Sequence, residues 1–359
     1  MSMSDTHVFV PVLRREEPVA KPNGNHTVAA PQTPPAPQDL NDVRNLFRAL
    51  GGCCRRMVQG RDDVITLLLT ALIADGHVLL EDHPGSGKTT LAKALGNALT
   101  REPGDVIQSF RRIQFTPDLL PSDVTGGGVF NSETRSISFQ PGPVFANVVL
   151  ADEINRTSPK VQAALLEAMA EKQVTVDNTT HKLDEVFFVL ATQNPLDLAG
   201  TYPLPRAQLD RFLFKVKMAH LQRDAEVDVL KKWKTARTKL NEFAVTPHDL
   251  LRARRVVESQ VKVPDMVLEC LADIAEATRH DQRIALGVST RSLVIALPAL
   301  QVWALISGRD IVTVHDVKAL AIPLFSHRVE PSPGVVNVDA VIAELTAKIV
   351  EKYTSRTLI

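Results

Sequence analysis

The stretch of the chain with the clearest chemical potential is a glycine-containing loop that ends in a lysine and two threonines. It consists of Asp82, His83, Pro84, Gly85, Ser86, Gly87, Lys88, Thr89 and Thr90. It lies between an apolar run and an amphipathic segment, the context in which such a loop binds phosphate. Its glycines let backbone N–H groups turn toward phosphate oxygens, and a helix starting at Lys88 adds the positive end of its dipole. We expect Lys88 to reach the β and γ phosphates of ATP and the Thr89 hydroxyl to bind Mg²⁺.

The loop departs from the usual pattern at one position. The generic motif has glycine six residues before the lysine, and this chain has Asp82 there. Aspartate tolerates turn conformations better than most residues. A carboxylate directed into the loop would weaken nucleotide binding. The prediction of a phosphate site is kept despite this substitution.

A pair of acids follows a second apolar run, which reads VVLADE and ends in Asp152 and Glu153. Adjacent side chains at the end of a strand point in different directions, which suits two separate roles. We expect Asp152 to hold the magnesium shell and Glu153 to orient and polarise the attacking water. The plain alternative is a solvated strand end.

Asn194 follows a third apolar run, residues 186–191. It would therefore lie at the carboxyl end of a strand, where open α/β sheets bind their ligands. Its amide could contact the γ-phosphate or the attacking water. Taken alone, it could also be a turn residue before Pro195.

Two arginines could supply the positive charge that phosphoryl transfer requires. Such a cation increases the rate by about 10³-fold or more when a neighbouring molecule provides it. We expect Arg211, in AQLDRF, to act in a neighbour's site, and Arg291, in GVSTR, to reach over the nucleotide of its own chain. The alternatives are a surface salt bridge for Arg211 and a helix-cap contact for Arg291. Arg206 is a weaker candidate for the role in the neighbour's site.

The elements that would position these residues form three regions. Residues 1–38 are rich in proline and are expected to be a disordered tail or, alternatively, a docking segment. Residues 39–219 alternate apolar runs with helical spacing, which predicts a parallel sheet covered on both faces. Residues 220–359 read as helical, with no further strands. The predicted strands are 77–81, 112–115, 148–151, 186–191 and 212–216, and the predicted helices include 88–99, 160–171, 225–235, 264–279, 291–307 and 314–320.

Two predicted hairpins, 126–143 and 174–183, interrupt the alternation. Insertions in a rigid scaffold often contact partners. Plain surface hairpins are the alternative.

Composition narrows the choice of partners and compartment. The 359 residues carry 41 basic and 41 acidic side chains, so no global positive field draws the chain to nucleic acid or anionic lipid. No apolar run is long enough to span a bilayer, and the N-terminus does not resemble a signal peptide. We expect a cytoplasmic protein whose three cysteines are reduced and buried.

Five motifs occur in order along the chain: HPGSGKTT, VVLADEINR, VLATQNP, LPRAQLDRF and GVSTR. Together they resemble the MoxR family of AAA+ ATPases, and the resemblance extends from about residue 40 to the C-terminus. The segment SGRDIVTVHDVKAL also resembles the lid of that family. The family typically has glutamate where this chain has Arg206. The resemblance implies an α/β AAA+ P-loop core, with a parallel sheet and helices on both faces, followed by an all-α lid domain.

The resemblance also implies roles for individual residues. Lys88 and Thr89 match the first Walker motif, Asp152 and Glu153 the second, Asn194 the first sensor, Arg211 the arginine finger and Arg291 the second sensor. Similar proteins carry a hairpin insertion in the second core helix and another before the sensor strand. They form rings, usually hexamers, with ATP between subunits. Their implied role is chaperone-like activation of client proteins, sometimes by assisting metal or cofactor insertion, often with a von Willebrand A domain partner.

Two other functions remain open at this stage. A DNA motor of the helicase type is disfavoured by the neutral net charge, although Arg135, Lys172 and Lys182 lie in or beside the hairpins. A nucleotide switch without catalysis is disfavoured by Glu153, because a switch does not need an acid that activates water.

Overall fold

The computed structural model describes residues 37–81, 86–100, 107–133, 135–194, 200–218, 221, 223–231 and 245–356. The predicted tail, apart from its last two residues, lies outside the described residues. So do Asp82, His83, Pro84 and Gly85 of the phosphate loop.

The first part of the described chain alternates strands and helices. In chain order its elements are α1 (Leu40–Met57), α2 (Asp62–Ile73), β1 (Val78–Glu81), α3 (Lys88–Ala98), β2 (Gln108–Gln114), α4 (Pro121–Thr125), β3 (Gly126–Asn131), β4 (Ser136–Pro141), β5 (Ala146–Asp152), α5 (Pro159–Glu171), β6 (Gln173–Val176), β7 (Thr179–Lys182), β8 (Phe188–Gln193), α6 (Arg206–Leu209) and β9 (Phe214–Lys217).

Five of these strands form one parallel sheet in the order β2-β5-β8-β1-β9. Successive residues of β5 join different hydrophobic clusters, with Val149 on one face and Leu150 on the other. Both clusters are covered by helices, which explains why the inner strands β5, β8 and β1 carry apolar residues on both faces, whereas the edge strands β2 and β9 include polar residues. The predicted parallel sheet is confirmed. Some strand limits differ, because β2 starts at Gln108 and β8 extends to Gln193.

The two inserted hairpins were located correctly. β3 pairs with β4 and β6 with β7, both antiparallel. Asp177 and Asn178 connect β6 to β7 with φ of 48° and 62°. Positive φ at both turn residues is the geometry that joins two strands most tightly, and Asp and Asn tolerate it.

The second part of the described chain is mainly helical. Its elements are α7 (Arg223–Lys231), α8 (Pro247–Gln260), α9 (Asp265–His280), β10 (Ile284–Leu286), α10 (Thr290–Ile306), α11 (Val314–Phe325), β11 (Glu330–Pro331) and α12 (Val338–Arg356). The helical lid is therefore confirmed. Sequence patterns missed α8, α12 and the short antiparallel pair β10–β11. A pair of three and two residues is too short to produce a readable alternation. The end of the predicted helix 225–235 lies outside the described residues.

The core and the lid share one hydrophobic cluster. Helix α1 packs on α3 and also on α8 and α10, and α2 packs on α10. Cys53, Cys54 and Cys270 are free thiols buried in this cluster, as expected. Burial raises the pKa of Cys54 to about 12 and that of Cys270 to about 11.

Candidate nucleotide-binding site

The ends of the parallel strands bring the predicted site residues to one edge of the sheet. In the strand register Gln114 lies beside Asp152, and Glu81 lies beside Gln193. The phosphate loop leaves β1 at this same edge and returns as α3, which begins at Lys88. The structure therefore places Lys88, Asp152, Glu153 and Asn194 at the carboxyl ends of adjacent strands, where an open α/β sheet binds ligands.

The described part of the phosphate loop has the backbone that the chemistry requires. Gly87 has a φ of +94°, a left-handed conformation that side chains other than glycine rarely adopt. This turn directs the chain into α3, whose first residues are Lys88, Thr89 and Thr90. Ser86, Lys88 and Thr89 are partly buried, and Thr90 is exposed. The first N–H groups of α3 have no acceptor within the helix and suit a phosphate.

Asp152 is a nearly buried carboxylate with a partner for each oxygen. Its Oδ1 accepts a hydrogen bond of 2.7 Å from the Thr192 hydroxyl. Its Oδ2 accepts from Arg112 Nη2 at 2.6 Å and from Arg112 Nε at 3.2 Å. The carboxylate is thus held in one orientation at the end of β5.

Glu153 has an unusual backbone for its residue type. Its φ is 57° and its ψ 49°, and its N–H donates to the Thr192 hydroxyl at 2.9 Å. A left-handed conformation is costly for a residue with a β-carbon, and such costs concentrate at functional sites. Its Oε2 accepts from Gln114 Nε2 and lies 3.0 Å from Arg156 Nε. The side chain is 29% exposed, so it can be reached by water.

Asn194 directly follows β8 and is only 9% exposed. Thr192, two residues earlier, joins Asp152 and the Glu153 backbone through its hydroxyl. The acids and the candidate sensor are therefore positioned by the same strand pair, β5 and β8. Pro195, the basis of the turn interpretation, lies outside the described residues.

The chemistry of these donors fits Mg²⁺ carried by a nucleotide. Within the described parts of the chain, no group of three or more His, Cys, Asp or Glu side chains could hold a metal ion by itself. Magnesium is commonly held by one or two carboxylates together with substrate phosphates. Asp152 and the Thr89 hydroxyl are suitable protein ligands for an ion that arrives with phosphate oxygens.

The two predicted arginines lie together, but at the opposite edge of the sheet. They line one cavity of about 250 Å³ whose wall also includes Asp75, Gly76 and His77, which precede β1. The phosphate loop instead follows the last residue of β1. A strand of four residues separates the two edges by about 13 Å. The expectation that Arg291 covers the nucleotide of its own chain does not agree with this placement, because Arg291 lies beside the amino end of β1.

Arg211 and Arg206 differ in the parts of the chain that they contact. Arg211 donates from Nε to Leu166 O at 3.0 Å and from Nη1 to Ala207 O at 2.7 Å, so backbone carbonyls hold its guanidinium. Arg206 donates to the backbone oxygens of Gly287 and Arg328, which belong to the lid. Burial lowers the pKa of Arg206. These contacts make Arg206 a link between core and lid within the chain, which weakens its case as a residue donated to a neighbour.

Three polar residues at the site were not singled out from the sequence: Arg112, Gln114 and Thr192. Arg112 and Gln114 are two residues apart on β2 and therefore share a face. The charge of Arg112, at the start of the predicted strand 112–115, was a usable signal. Their partners could be recognised only once β2 was known to lie beside β5.

Two family models match the chain in the regions just described. Residues 77–214 match the ATPase family associated with various cellular activities, and residues 276–345 match the AAA lid domain. Among similar proteins, Chaperone MoxR1 of Mycobacterium tuberculosis is 33% identical over 94% of this chain and 88% of its own length. The chain belongs to the MoxR family of AAA+ ATPases.

Other family members and a solved structure agree with this assignment. An uncharacterized protein of Bacillus subtilis, YeaC, is 43% identical over 82% of this chain and 91% of its own length. Protein MoxR of Methylorubrum extorquens is 29% identical over 82% of this chain and 90% of its own. A crystal structure of an inferred ATPase from Cytophaga hutchinsonii has a TM-score of 0.77 and 33% identity, and covers 86% of this chain and 96% of that one.

Membership of this ATPase family implies nucleotide binding and ATP hydrolysis. Among the described helices, none combines the length and the apolar character needed to cross a membrane.

Proposed function

We propose that this MoxR-family protein hydrolyses MgATP at the carboxyl edge of its sheet. The observation that carries the proposal is the pair Asp152 and Glu153, held at the carboxyl end of β5, the edge of the sheet from which the chain leads into α3. Bound Mg²⁺ would neutralise charge on the phosphates. Asp152 and Thr89 hold that ion, Lys88 faces the β and γ phosphates, and Asn194 positions the water or the γ-phosphate.

In this reaction a water oxygen attacks the γ phosphorus, the bond to the β–γ bridging oxygen breaks, and ADP and phosphate leave. Glu153 orients the water and accepts its proton. The 29% exposure of its side chain and its location one residue after Asp152 support this role.

We further propose that the protein works as a ring, most simply a hexamer, in which each nucleotide lies between two subunits. Arg211 and Arg291 lie at the edge of the sheet opposite the phosphate loop of their own chain. A head-to-tail interface places one edge of a subunit against the other edge of the next, and a closed rotation makes it a ring. Both arginines would then act on the neighbour's ATP.

The work done with this ATP is, in our proposal, the remodelling or activation of client proteins in the cytoplasm, with a von Willebrand A domain protein as partner. This could include assistance with metal or cofactor insertion, as the family resemblance implies. A relative named Chaperone MoxR1 supports the chaperone role. The hairpin β3–β4 supports a protein client, because Phe130 and Ile137 pair across it and are 63% and 73% exposed. Exposed apolar pairs of this kind suit protein contacts better than nucleic acid.

The alternative of a DNA motor loses part of its basis in the structure. Lys172, one of the three basic residues at the hairpins, donates to both oxygens of Asp75 at 2.6 and 2.8 Å. Its ammonium group is thus engaged within the chain, at a carboxylate that also pairs with Arg254 at 2.8 Å, and is less available to a nucleic acid.

The test is ATP turnover measured against protein concentration for the wild type and Glu153→Gln, with Glu167→Gln as a control on an exposed position of α5. We expect specific activity to rise with concentration and to fall by about 10²-fold or more in Glu153→Gln, with ATP binding retained. The control should match the wild type. A wild type that binds ATP but turns over no faster than Glu153→Gln at any concentration would favour the switch without catalysis.

A further inference from the structure

The carboxyl edge of the sheet contains a cation that the proposed reaction does not use. Arg112 lies on β2, where Phe110, Arg112 and Gln114 alternate with Ile113 of the opposite cluster. A β-carbon on Gly96 of α3 would meet the Phe110 ring, so this face of β2 is the one that α3 covers. Arg112 therefore faces the side of the sheet on which the phosphate loop begins its helix.

The guanidinium is committed to the metal-binding acid. Arg112 Nη2 and Nε both donate to Oδ2 of Asp152, and Nη2 also donates to Gln114 Oε1 at 2.5 Å. The Asp152 side chain is 11% exposed, while that of Arg112 is 44% exposed. A carboxylate that is nearly buried needs a compensating charge or hydrogen bonds. An exposed arginine can leave such a contact at less cost, because water solvates it on departure.

The other Asp152 oxygen does not depend on Arg112. Oδ1 is held by the Thr192 hydroxyl, which belongs to β8 on the far side of β5. Removing Arg112 would thus leave the carboxylate oriented but without its positive partner. An Arg112 variant therefore changes the charge beside Asp152 without displacing the Asp152 carboxylate.

We propose that Arg112 is a positioning residue that serves as the resident counter-ion of Asp152 and yields Oδ2 when Mg²⁺ enters with the nucleotide. The inference rests on the proposed MgATP function of this site. Arg112 and the divalent ion compete for the same oxygen, so the arginine keeps the acid neutralised before nucleotide binds and sets the Mg²⁺ concentration at which the site assembles.

The competition fixes the sign of the expected effect. Without Arg112, Asp152 is an uncompensated negative charge near the polyphosphate, so binding in the absence of magnesium weakens. Mg²⁺ then meets no competitor, so less of it is needed. The ratio of nucleotide dissociation constants without and with Mg²⁺ should rise, and the half-saturating Mg²⁺ concentration should fall, each on the order of tenfold.

The experiment uses the full chain and the non-hydrolysable ATP analogue AMP-PNP, titrated in EDTA and then over a series of Mg²⁺ concentrations. The variant is Arg112→Met, and Arg111→Met is the matched control, because Arg111 is an exposed neighbour on the same strand directed to the other face. We expect the control to keep the wild-type ratio. If Arg112→Met does not fold, Arg112→Gln is used in its place, because it removes the same positive charge.

The outcomes separate this inference from the function on which it rests. A ratio that is unchanged, or a half-saturating Mg²⁺ concentration that rises, overturns the role of Arg112 while analogue binding itself persists. Equal weakening with and without Mg²⁺, together with a lower melting temperature, shows a merely structural salt bridge and also overturns it. Failure of the wild type to bind AMP-PNP under any condition instead removes the proposed function.

Discussion

The two edges of the central sheet use polar residues in different ways. At the carboxyl edge, Asp152 and Glu153 meet partners from adjacent strands, and each contact follows from the strand register. At the amino edge, arginines connect elements that are far apart in the chain. Arg328, for example, is fully buried on the backbone oxygen of Phe212, with Asp210 3.3 Å from its Nε.

The difference shows how one subunit can carry two halves of different active sites. The carboxyl edge has carboxylates, a phosphate loop and partly exposed side chains, which suits binding and chemistry on its own nucleotide. The amino edge has a cavity lined by Arg211 and Arg291 and supported by core–lid contacts. That edge carries Asp75 and Asp210 beside the two arginines, and none of the described Walker residues lies there.

The largest expected effect lies at the carboxyl edge. Lys88→Ala should abolish detectable ATP binding at micromolar nucleotide and reduce turnover by about 10³-fold, because Lys88 supplies the charge nearest the β and γ phosphates. Isothermal titration calorimetry and phosphate release measure the two effects. Lys93→Ala is the matched control, since Lys93 is exposed on the same helix. Turnover in Lys88→Ala close to that of the control would place the active site elsewhere.

The next effect concerns the amino edge. Arg211→Ala and Arg291→Ala should each lower turnover by about 10²-fold or more while leaving ATP binding intact, because the cation contributes to the transition state of the neighbour's site. Rings assembled from two different variants show whether each arginine acts in its own subunit's site or in the neighbour's. Rings assembled from Arg291→Ala and Glu153→Gln subunits should regain activity, since an intact Glu153 in one subunit can meet an intact Arg291 in the next.

The mixing experiment would give the opposite result if Arg291 acted within its own subunit. If Arg291 served its own chain's nucleotide, every site in the mixed ring would lack either Glu153 or Arg291, and no activity would return. The same pairing with Arg211→Ala gives an independent measurement. Recovery with Arg211→Ala but not with Arg291→Ala would show that only the finger acts between subunits.

The comparison also explains what could be predicted from the sequence. Residues at the carboxyl edge lie within a few positions of apolar runs. Hydrophobic periodicity and motifs therefore placed Lys88 at the start of the correct helix, and Asp152, Glu153 and Asn194 at the ends of the correct strands. The amino-edge arrangement depends on how the lid packs. Arg291 was predicted at the start of a helix, and α10 does begin at Thr290. Which edge of the sheet it faces is set by tertiary contacts such as those of α10 with α2 and α8.

Arg112 illustrates the same limit at the carboxyl edge. Its strand was predicted, but its partner Asp152 lies 40 positions later in the chain. Strand order decides this contact, because β5 lies between β2 and β8 in the sheet. The motifs themselves carry no information on that order.

The smallest effect we expect is a pH dependence of stability at the amino edge. His77 is buried before β1; its Nδ1 accepts from the Val189 N–H at 3.1 Å, and its Nε2 donates to Met169 O at 3.2 Å. Burial is the main cause that lowers the pKa of His77 to about 4, against 6.5 for an ordinary histidine; nearby Asp75 opposes this shift, and Lys172 and Arg254 add to it. The unfolded chain therefore binds the proton more readily, so stability falls as the pH drops from about 6.5 toward 4.

This dependence can be isolated with a variant. Between pH 7 and pH 5 the wild type should lose about 1–2 kcal/mol more unfolding free energy in urea than His77→Gln, which has no proton to gain there. His248→Gln, at an exposed position of α8, should keep the wild-type dependence. If His77→Gln shows the same pH dependence of unfolding free energy as the wild type, protonation of His77 does not cause the loss of stability at low pH. The acid sensitivity would then have to come from other groups, such as the buried His327, whose pKa burial also lowers.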